Sequence, residues 1–319
     1  MINGHGDDLY QYDSIRMNFS SNICQHGDDA ELKRYLATKL DLIANYPEPE
    51  AWSLEHLIAQ QEGIPDECVI VTNGATEAIY LVAQAFRYQY RLLTPSFSEY
   101  ADALSMYPAE SEQTAVWLCN PNNPTGDVFS KDDIRQLAVD YNLVVIDQSY
   151  EDYTAAPMLS AREGVEMCKV IQLHSLTKSY GVPGLRIGYI TASARLARTI
   201  RQYLRPWSVN ALAIEAGKYL LKHGVKLKPD LKEAQRLTRL LRAIEGISVD
   251  DSHTNFMLCE VHPRTAAELK DYLAKNHGML IRDASNIEGL TPHHFRIAAQ
   301  QPEFNDALVE AIKLFMKTE

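Results

Sequence analysis

The sequence predicts an α/β protein built on a mainly parallel sheet and followed by a smaller α+β domain. Three observations carry that expectation. Short apolar runs lack the polar alternation of a half-exposed strand, longer helical patterns lie between them, and short mixed elements return after an all-helical stretch. The runs at 69–72, 115–119, 143–147, 170–174 and 185–191 are the expected strands. Residues 76–86 and 131–141 read as helices, the second opened by Ser130 with Asp133 three residues on, a reciprocal capping pair. Strands covered on both faces and joined by helices make a parallel sheet.

From 193 to 245 the pattern is almost wholly helical, broken near Arg205-Pro206 and Lys228-Pro229, where proline disfavours continuation. The sheet domain is therefore expected to end near 205. Beyond lie a strand at 256–260, a helix at 265–277, strands at 279–282 and 294–298, and a last helix from Glu303. The expected division is an N-terminal arm over 1–45 shared with the small domain and the substrate site, a large domain over 46–205, and a small C-terminal domain over 206–319.

The 319 residues suffice for two domains at roughly 150 each. Apolar residues at 46% and charged residues at 23% exclude a disordered or low-complexity chain. Thirty-one Lys and Arg against 42 Asp and Glu leave a net charge of −11, which argues against nucleic acid as a partner. No run approaches the ~18 apolar residues of a membrane span, and the N-terminus lacks the basic start and apolar stretch of a signal peptide, so a cytoplasmic protein with no membrane partner is expected. Five scattered cysteines without a C-x-x-C pair point to buried structural thiols rather than disulfides or a zinc site. His293-His294 project to opposite faces of a strand, and no metal is expected.

Four motifs carry chemistry. In 174–189, Lys178 follows a strand end, and Gly181, Pro183, Gly184 and then Arg186 lead into the next strand, which puts an amine and a fixed cation at the carboxyl edge of the sheet. His174, just upstream, reads as a satisfied core histidine more readily than as a ligand. Asn73-Gly74-Ala75-Thr76-Glu77 joins a strand to a helix, so its backbone N–H groups offer an anion site. Residues 120–126, Asn-Pro-Asn-Asn-Pro-Thr-Gly, hold more turn-formers than a simple connection requires. Asp147, opening Asp-Gln-Ser-Tyr150, ends a strongly apolar strand, where a lone charge is costly and calls for a cationic partner. An anion cradle, a carboxylate, an amine and a further cation are what pyridoxal 5′-phosphate requires for its phosphate, ring nitrogen and aldehyde.

The ordered set NGATEA, NPNNPTG, DQSY, SLTK and R-x-G, with FRIA near the end, resembles the fold-type-I, class I/II aminotransferase superfamily, whose fold is that of aspartate aminotransferase. Within it the chain is similar to histidinol-phosphate aminotransferases and threonine-phosphate decarboxylases. The resemblance implies pyridoxal 5′-phosphate joined to Lys178, which also moves the substrate α-proton. It implies Asp147 on the ring nitrogen, Asn123 and Tyr150 on the phenolic oxygen, and Phe97 on the ring face. Gly74, Ala75, Thr76, Ser175 and Arg186 would hold the phosphate. Arg296 would take a substrate carboxylate in a two-pronged salt bridge. Tyr46, in Asn45-Tyr46-Pro47, resembles the tyrosine that reaches a neighbouring subunit's phosphate, which implies a homodimer with composite sites. Phe97 and Tyr150 also read as plain core aromatics, and Arg296 as a strand-edge ion pair.

The chain departs from the family in one region. Only 22 residues separate Phe97 from Asn120, and 87–93 replace a glycine-bearing turn, so the sheet is expected to be reduced at one edge. The anchors do not distinguish removal of hydrogen from removal of carboxylate. The sequence favours an aminotransferase that moves an amino group between an amino acid or amino phosphate and a 2-oxo acid. The alternative is the L-threonine O-3-phosphate decarboxylase of cobalamin biosynthesis, whose N-terminal segment resembles 4–6 and 17–23. That segment offers His5, Ser21 and Asn22 as substrate contacts.

Overall fold

The computed structural model describes residues 7–12, 14–23 and 29–317. Strand β1 (Met17–Asn18) belongs to the N-terminal arm. The large sheet comprises β2 (Val69–Thr72), β3 (Gln89–Leu92), β4 (Thr114–Cys119), β5 (Leu143–Asp147), β6 (Val170–His174) and β7 (Gly188–Ala192). Its order is β2-β7-β6-β5-β4-β3; the four strands from β3 to β6 are mutually parallel, and β7 runs against both its neighbours. The small domain holds β8 (Ile247–Val249), β9 (Phe256–Val261), β10 (Met279–Leu280), β11 (Arg282–Asp283) and β12 (His294–Ala298). Four of these form an antiparallel sheet in the order β11-β12-β9-β8, while β10 pairs with β1 of the arm.

The uninterrupted apolar runs are explained by cover on both faces. Leu143 and Val145 of β5 join the core beneath helices Gly74–Ala85 and Ala194–Arg201, whereas Val144 and Ile146 face a second core around Ile134 and Leu159. By the same period of two, Asp147 falls on the face of Leu143 and Val145. In register it lies beside Cys119 of β4, and both residues line the same cavity. Ser130 and Asp133 cap helix Lys131–Asp140 reciprocally, as the spacing predicts.

Three expectations are corrected. The large sheet holds a strand not among those expected: Gln89–Leu92 is an edge strand, mostly exposed, whose Gln-Tyr-Arg-Leu sequence carries no buried pattern. The last strand of the large sheet starts at Gly188, because Pro183–Leu185 form a short 3-10 turn and Arg186 takes a left-handed φ of 53°. Cys68, Cys119 and Cys259 are buried, but Cys168 is exposed; Cys24 lies outside the described residues.

The division near 205 meets a continuous core. Helix Ala211–His223 packs through Ala213, Ile214, Ala216 and Leu220 against Leu54, Ile58 and Val71 of the large domain. Helix Leu231–Arg242 is the first to enter the small-domain core, with Leu237 and Leu241. The arm divides too: Phe19 is buried in the small-domain core, whereas Leu32 of helix Ala30–Ala37 packs on the large one. Among the described residues no helix is long and apolar enough to cross a membrane.

Candidate active site

The parallel strands aim their carboxyl ends at one cavity of about 230 Å³, where ligands of open α/β sheets bind. Asn123 follows β4, Asp147 ends β5, and Ser175 and Lys178 follow β6; all four line the cavity. Ala75 and Thr76, at the start of helix Gly74–Ala85, line it too, with Phe97, Tyr150 and Arg186. From the arm and small domain come Ser21, Asn22, Arg282 and Arg296. The site therefore lies where the large sheet, the arm and the strands of the small antiparallel sheet meet.

Asp147 is 5% exposed and fully engaged on its protein side: Oδ2 accepts from the Tyr100 hydroxyl at 2.8 Å and Oδ1 from the Ser149 N–H at 2.8 Å. Lys178 sits on the short helix Leu176–Ser179, with Nζ 5.8 Å from the centre of the Tyr150 ring and its carbonyl accepting from the Tyr153 hydroxyl at 3.0 Å. The Ser175 and Thr177 hydroxyls are paired at 2.7 Å. Gly74 has a φ of 78°, and a Cβ there would lie 2.6 Å from Nη2 of Arg186, so the helix start and this guanidinium are in close contact.

Arg296 is 6% exposed. Nη1 donates to the Asn123 side-chain oxygen, Nη2 to the Ser20 carbonyl at 2.6 Å, and Nε has no partner among the described residues. Burial, with the nearby Arg282 charge adding to it, lowers its pKa to about 10. Arg282 is its direct cross-strand partner and is 8% exposed; its Nη2 donates to the Asn286 side-chain oxygen at 2.7 Å, and burial lowers its pKa as well. Like charges directly opposite on neighbouring strands repel; the oxygens of Asn123, Ser20 and Asn286 that accept from these two guanidinia are neutral, while the Asp283 and Asp8 charges partly offset the burial of Arg282. Beside them, Asn22 is 1% exposed, and both atoms of its side-chain amide lack a partner among the described residues. Such groups call for an anion or a polar ligand.

Among the described residues expected at the site, Gly74 abuts Arg186 without itself lining the cavity, and Tyr46 lies apart within this chain: it is 84% exposed and packs on Trp207 at 5.2 Å. His5 lies outside the described residues. Arg282, Tyr100 and Cys119, which the sequence did not single out, line the same cavity. Tyr100 stands three residues beyond Phe97, a helical spacing that could have revealed it; Arg282 carried no local signal. His174 is a satisfied core residue, bonded to Glu151 and Thr191 at 3.0 Å each and stacked on Tyr189.

A fold of this topology with a lysine, a carboxylate and an anion cradle at one strand edge defines a class of vitamin B6 enzymes. The chain belongs to the class I and II aminotransferase family, whose model matches residues 88–312. The solved L-threonine-O-3-phosphate decarboxylase of Porphyromonas gingivalis is similar at a TM-score of 0.89 and 35% identity, covering 95% of this chain and 100% of that one. The histidinol-phosphate aminotransferase of Thermoanaerobacter pseudethanolicus is 30% identical over 84% of this chain and 83% of its own length. That of Sinorhizobium meliloti, solved in complex with pyridoxal-5′-phosphate, shares the fold at a TM-score of 0.79 and 18% identity, over 97% of this chain and 93% of its own. Pyridoxal 5′-phosphate is the cofactor of this family. The donor set fits it, since a cradle with Arg186, a buried carboxylate and a lysine all border one cavity.

Proposed function

We propose that this chain decarboxylates an O-phosphorylated amino acid of the threonine-phosphate kind. The observation that carries the reading is the buried Arg282–Arg296 register pair beside the Asn22 amide, which has no partner among the described residues. With Arg186 assigned to the cofactor phosphate, two guanidinia remain for the substrate, and they match a carboxylate and a phosphate on one small molecule. Histidinol phosphate has a phosphate but no carboxylate, so that substrate by itself would meet only one of the two guanidinia. Similarity across the full length of the Porphyromonas gingivalis decarboxylase supports the same choice.

Bound pyridoxal 5′-phosphate supplies an electrophilic aldehyde and an electron sink for negative charge at the substrate Cα. The residues divide the remaining work. Lys178 would hold the cofactor through its amine and would return a proton to the substrate Cα after carboxylate leaves as carbon dioxide, the product being a phosphorylated amino alcohol. Asp147 would hold the proton of the ring nitrogen. Asn123 and Tyr150 would bind the phenolic oxygen, Phe97 would pack on the ring, and Ser175, Arg186 and the backbone at Gly74, Ala75 and Thr76 would bind the cofactor phosphate. Arg296 and Arg282, with Ser21 and Asn22, orient the substrate, and orientation selects which bond at Cα stands perpendicular to the ring. Tyr46 completes a partner's site in a homodimer, consistent with its exposure.

The second reading, amino-group transfer to a 2-oxo acid, is favoured by the family model and by the Thermoanaerobacter relative. Two assays separate them. Phosphothreonine alone should release carbon dioxide without a 2-oxo acid. If carbon dioxide is not released and histidinol phosphate with 2-oxoglutarate yields glutamate, the chain is an aminotransferase instead.

A further inference from the structure

Tyr100 lies under the cavity on helix Glu99–Met106 and is 1% exposed. Its hydroxyl donates to Asp147 Oδ2 at 2.8 Å, while the Ser149 N–H occupies Oδ1. The neighbouring Cys119 thiol donates to the Pro121 carbonyl at 3.1 Å and also lies against the Tyr100 hydroxyl. The Tyr100 ring meets Phe97 edge-on, with centroids 5.7 Å apart and planes at 84°, and rests on Trp117 at 6.3 Å. One side chain thus touches both the acid and the aromatic assigned to the cofactor ring.

We propose that Tyr100 is a positioning residue that holds Asp147 and Phe97 in place and keeps the ring-nitrogen proton on the cofactor rather than on the acid. The inference rests on the assignment of Asp147 to the ring nitrogen. A phenol donating to Oδ2 makes a charge-assisted hydrogen bond, which is strongest to an ionised carboxylate. Burial, and then the Asp147 charge, push the phenol well above its ordinary pKa, so the hydroxyl remains a donor. The edge-on contact limits tilting of Phe97, and Trp117 closes the far side of the tyrosine ring. Asp147 therefore receives its side-chain hydrogen bond from a rigid aromatic body rather than from mobile solvent.

The test uses holoenzyme loaded with cofactor labelled with nitrogen-15 at the ring. In Tyr100→Phe, which keeps the aromatic shape, the nitrogen resonance should move toward that of an unprotonated pyridine, and kcat should fall about tenfold or more. KM and the cofactor dissociation constant should stay within about threefold of the parent, a separation that loosened packing alone would not give. Replacing Tyr100 with a fluorinated tyrosine, a stronger donor of similar shape, should leave the resonance at its protonated position and retain turnover. An unmoved resonance in Tyr100→Phe overturns the proposal. If Asp147→Asn also leaves it unmoved, the assignment of Asp147 to the ring nitrogen falls too; if Asp147→Asn shifts it, only the role of Tyr100 fails.

Discussion

Arg296, on the last strand of the small domain, donates a hydrogen bond to Asn123, on a large-domain loop 173 residues away in the chain. The same guanidinium holds the Ser20 carbonyl of the arm, so three distant segments meet at one buried cation. A substrate anchored there would tie binding to the packing of these three segments.

Arg296→Ala should accordingly raise KM by about 100-fold, equivalent to about 3 kcal/mol, with a smaller effect on kcat. Arg296→Lys should recover only part of this, because an ammonium keeps the charge but not the fork. Steady-state kinetics decide the matter: a parental KM in the alanine variant would remove Arg296 from the site.

Arg282→Ala and Asn22→Ala should discriminate between substrates. Each should raise KM for phosphothreonine by about tenfold or more while leaving that for an unphosphorylated amino acid nearly unchanged. An equal loss for both would show that these residues do not face the phosphate.

Lys178→Ala should fold and bind cofactor loosely but lose roughly three or more orders of magnitude in kcat. Borohydride reduction of the parent followed by peptide mass spectrometry should place the cofactor label on Lys178. A label on another lysine would contradict the assignment.

Gly74→Ala asks a non-glycine residue to take a φ of 78° and pushes a methyl to 2.6 Å from Nη2 of Arg186. The expected result is cofactor affinity weakened about tenfold and stability lowered by about 1–3 kcal/mol. Titration of the apoprotein with cofactor, followed by absorbance, measures the first effect and thermal unfolding the second. Parental affinity would mean that the helix start does not hold the phosphate.

The buried His174–Glu151 pair gives stability a pH dependence. Burial opposes the charged imidazole, but the charge and hydrogen bond of Glu151 outweigh it and raise His174 above its ordinary 6.5. Burial likewise opposes ionisation of Glu151, and His174 and Lys226 outweigh it, lowering the carboxyl below 4.5. The histidine's contribution is complete below pH 6.5 and fades as pH rises through the raised value. The glutamate's is complete above pH 4.5 and fades as pH falls through the lowered one. Both are present between pH 4.5 and 6.5. His174→Gln should flatten the loss on the alkaline side in melting temperatures recorded against pH, and an unchanged slope would remove the pair as its source.

Where burial imposes a repeating pattern, the chain announces its structure. Leu143–Asp147 and Val170–His174 read as strands because apolar side chains face both of the cores that cover them. Ser130 and Asp133 announce a helix start because both cap bonds form within one turn. Asp147 and Lys178 stood out because polar residues at the ends of such strands need a chemical reason, and Asn123 through the resemblance of its turn-rich motif to the family's. Gln89–Leu92 gave no such signal, since an exposed edge strand takes its conformation from the neighbour it pairs with. The apolar face of helix Ala211–His223 was legible, but not which of two cores would receive it.

The amino-acid order by itself determined the buried strands, the capped helix start at Ser130 and the polar groups at the strand ends, because these depend on spacing within a few residues. Only the tertiary structure decided that Arg282 stands opposite Arg296, that Tyr100 reaches Asp147 and that the arm's Asn22 closes the cavity. Those relations depend on strand register and domain packing between segments far apart in the chain, and no local pattern encodes them.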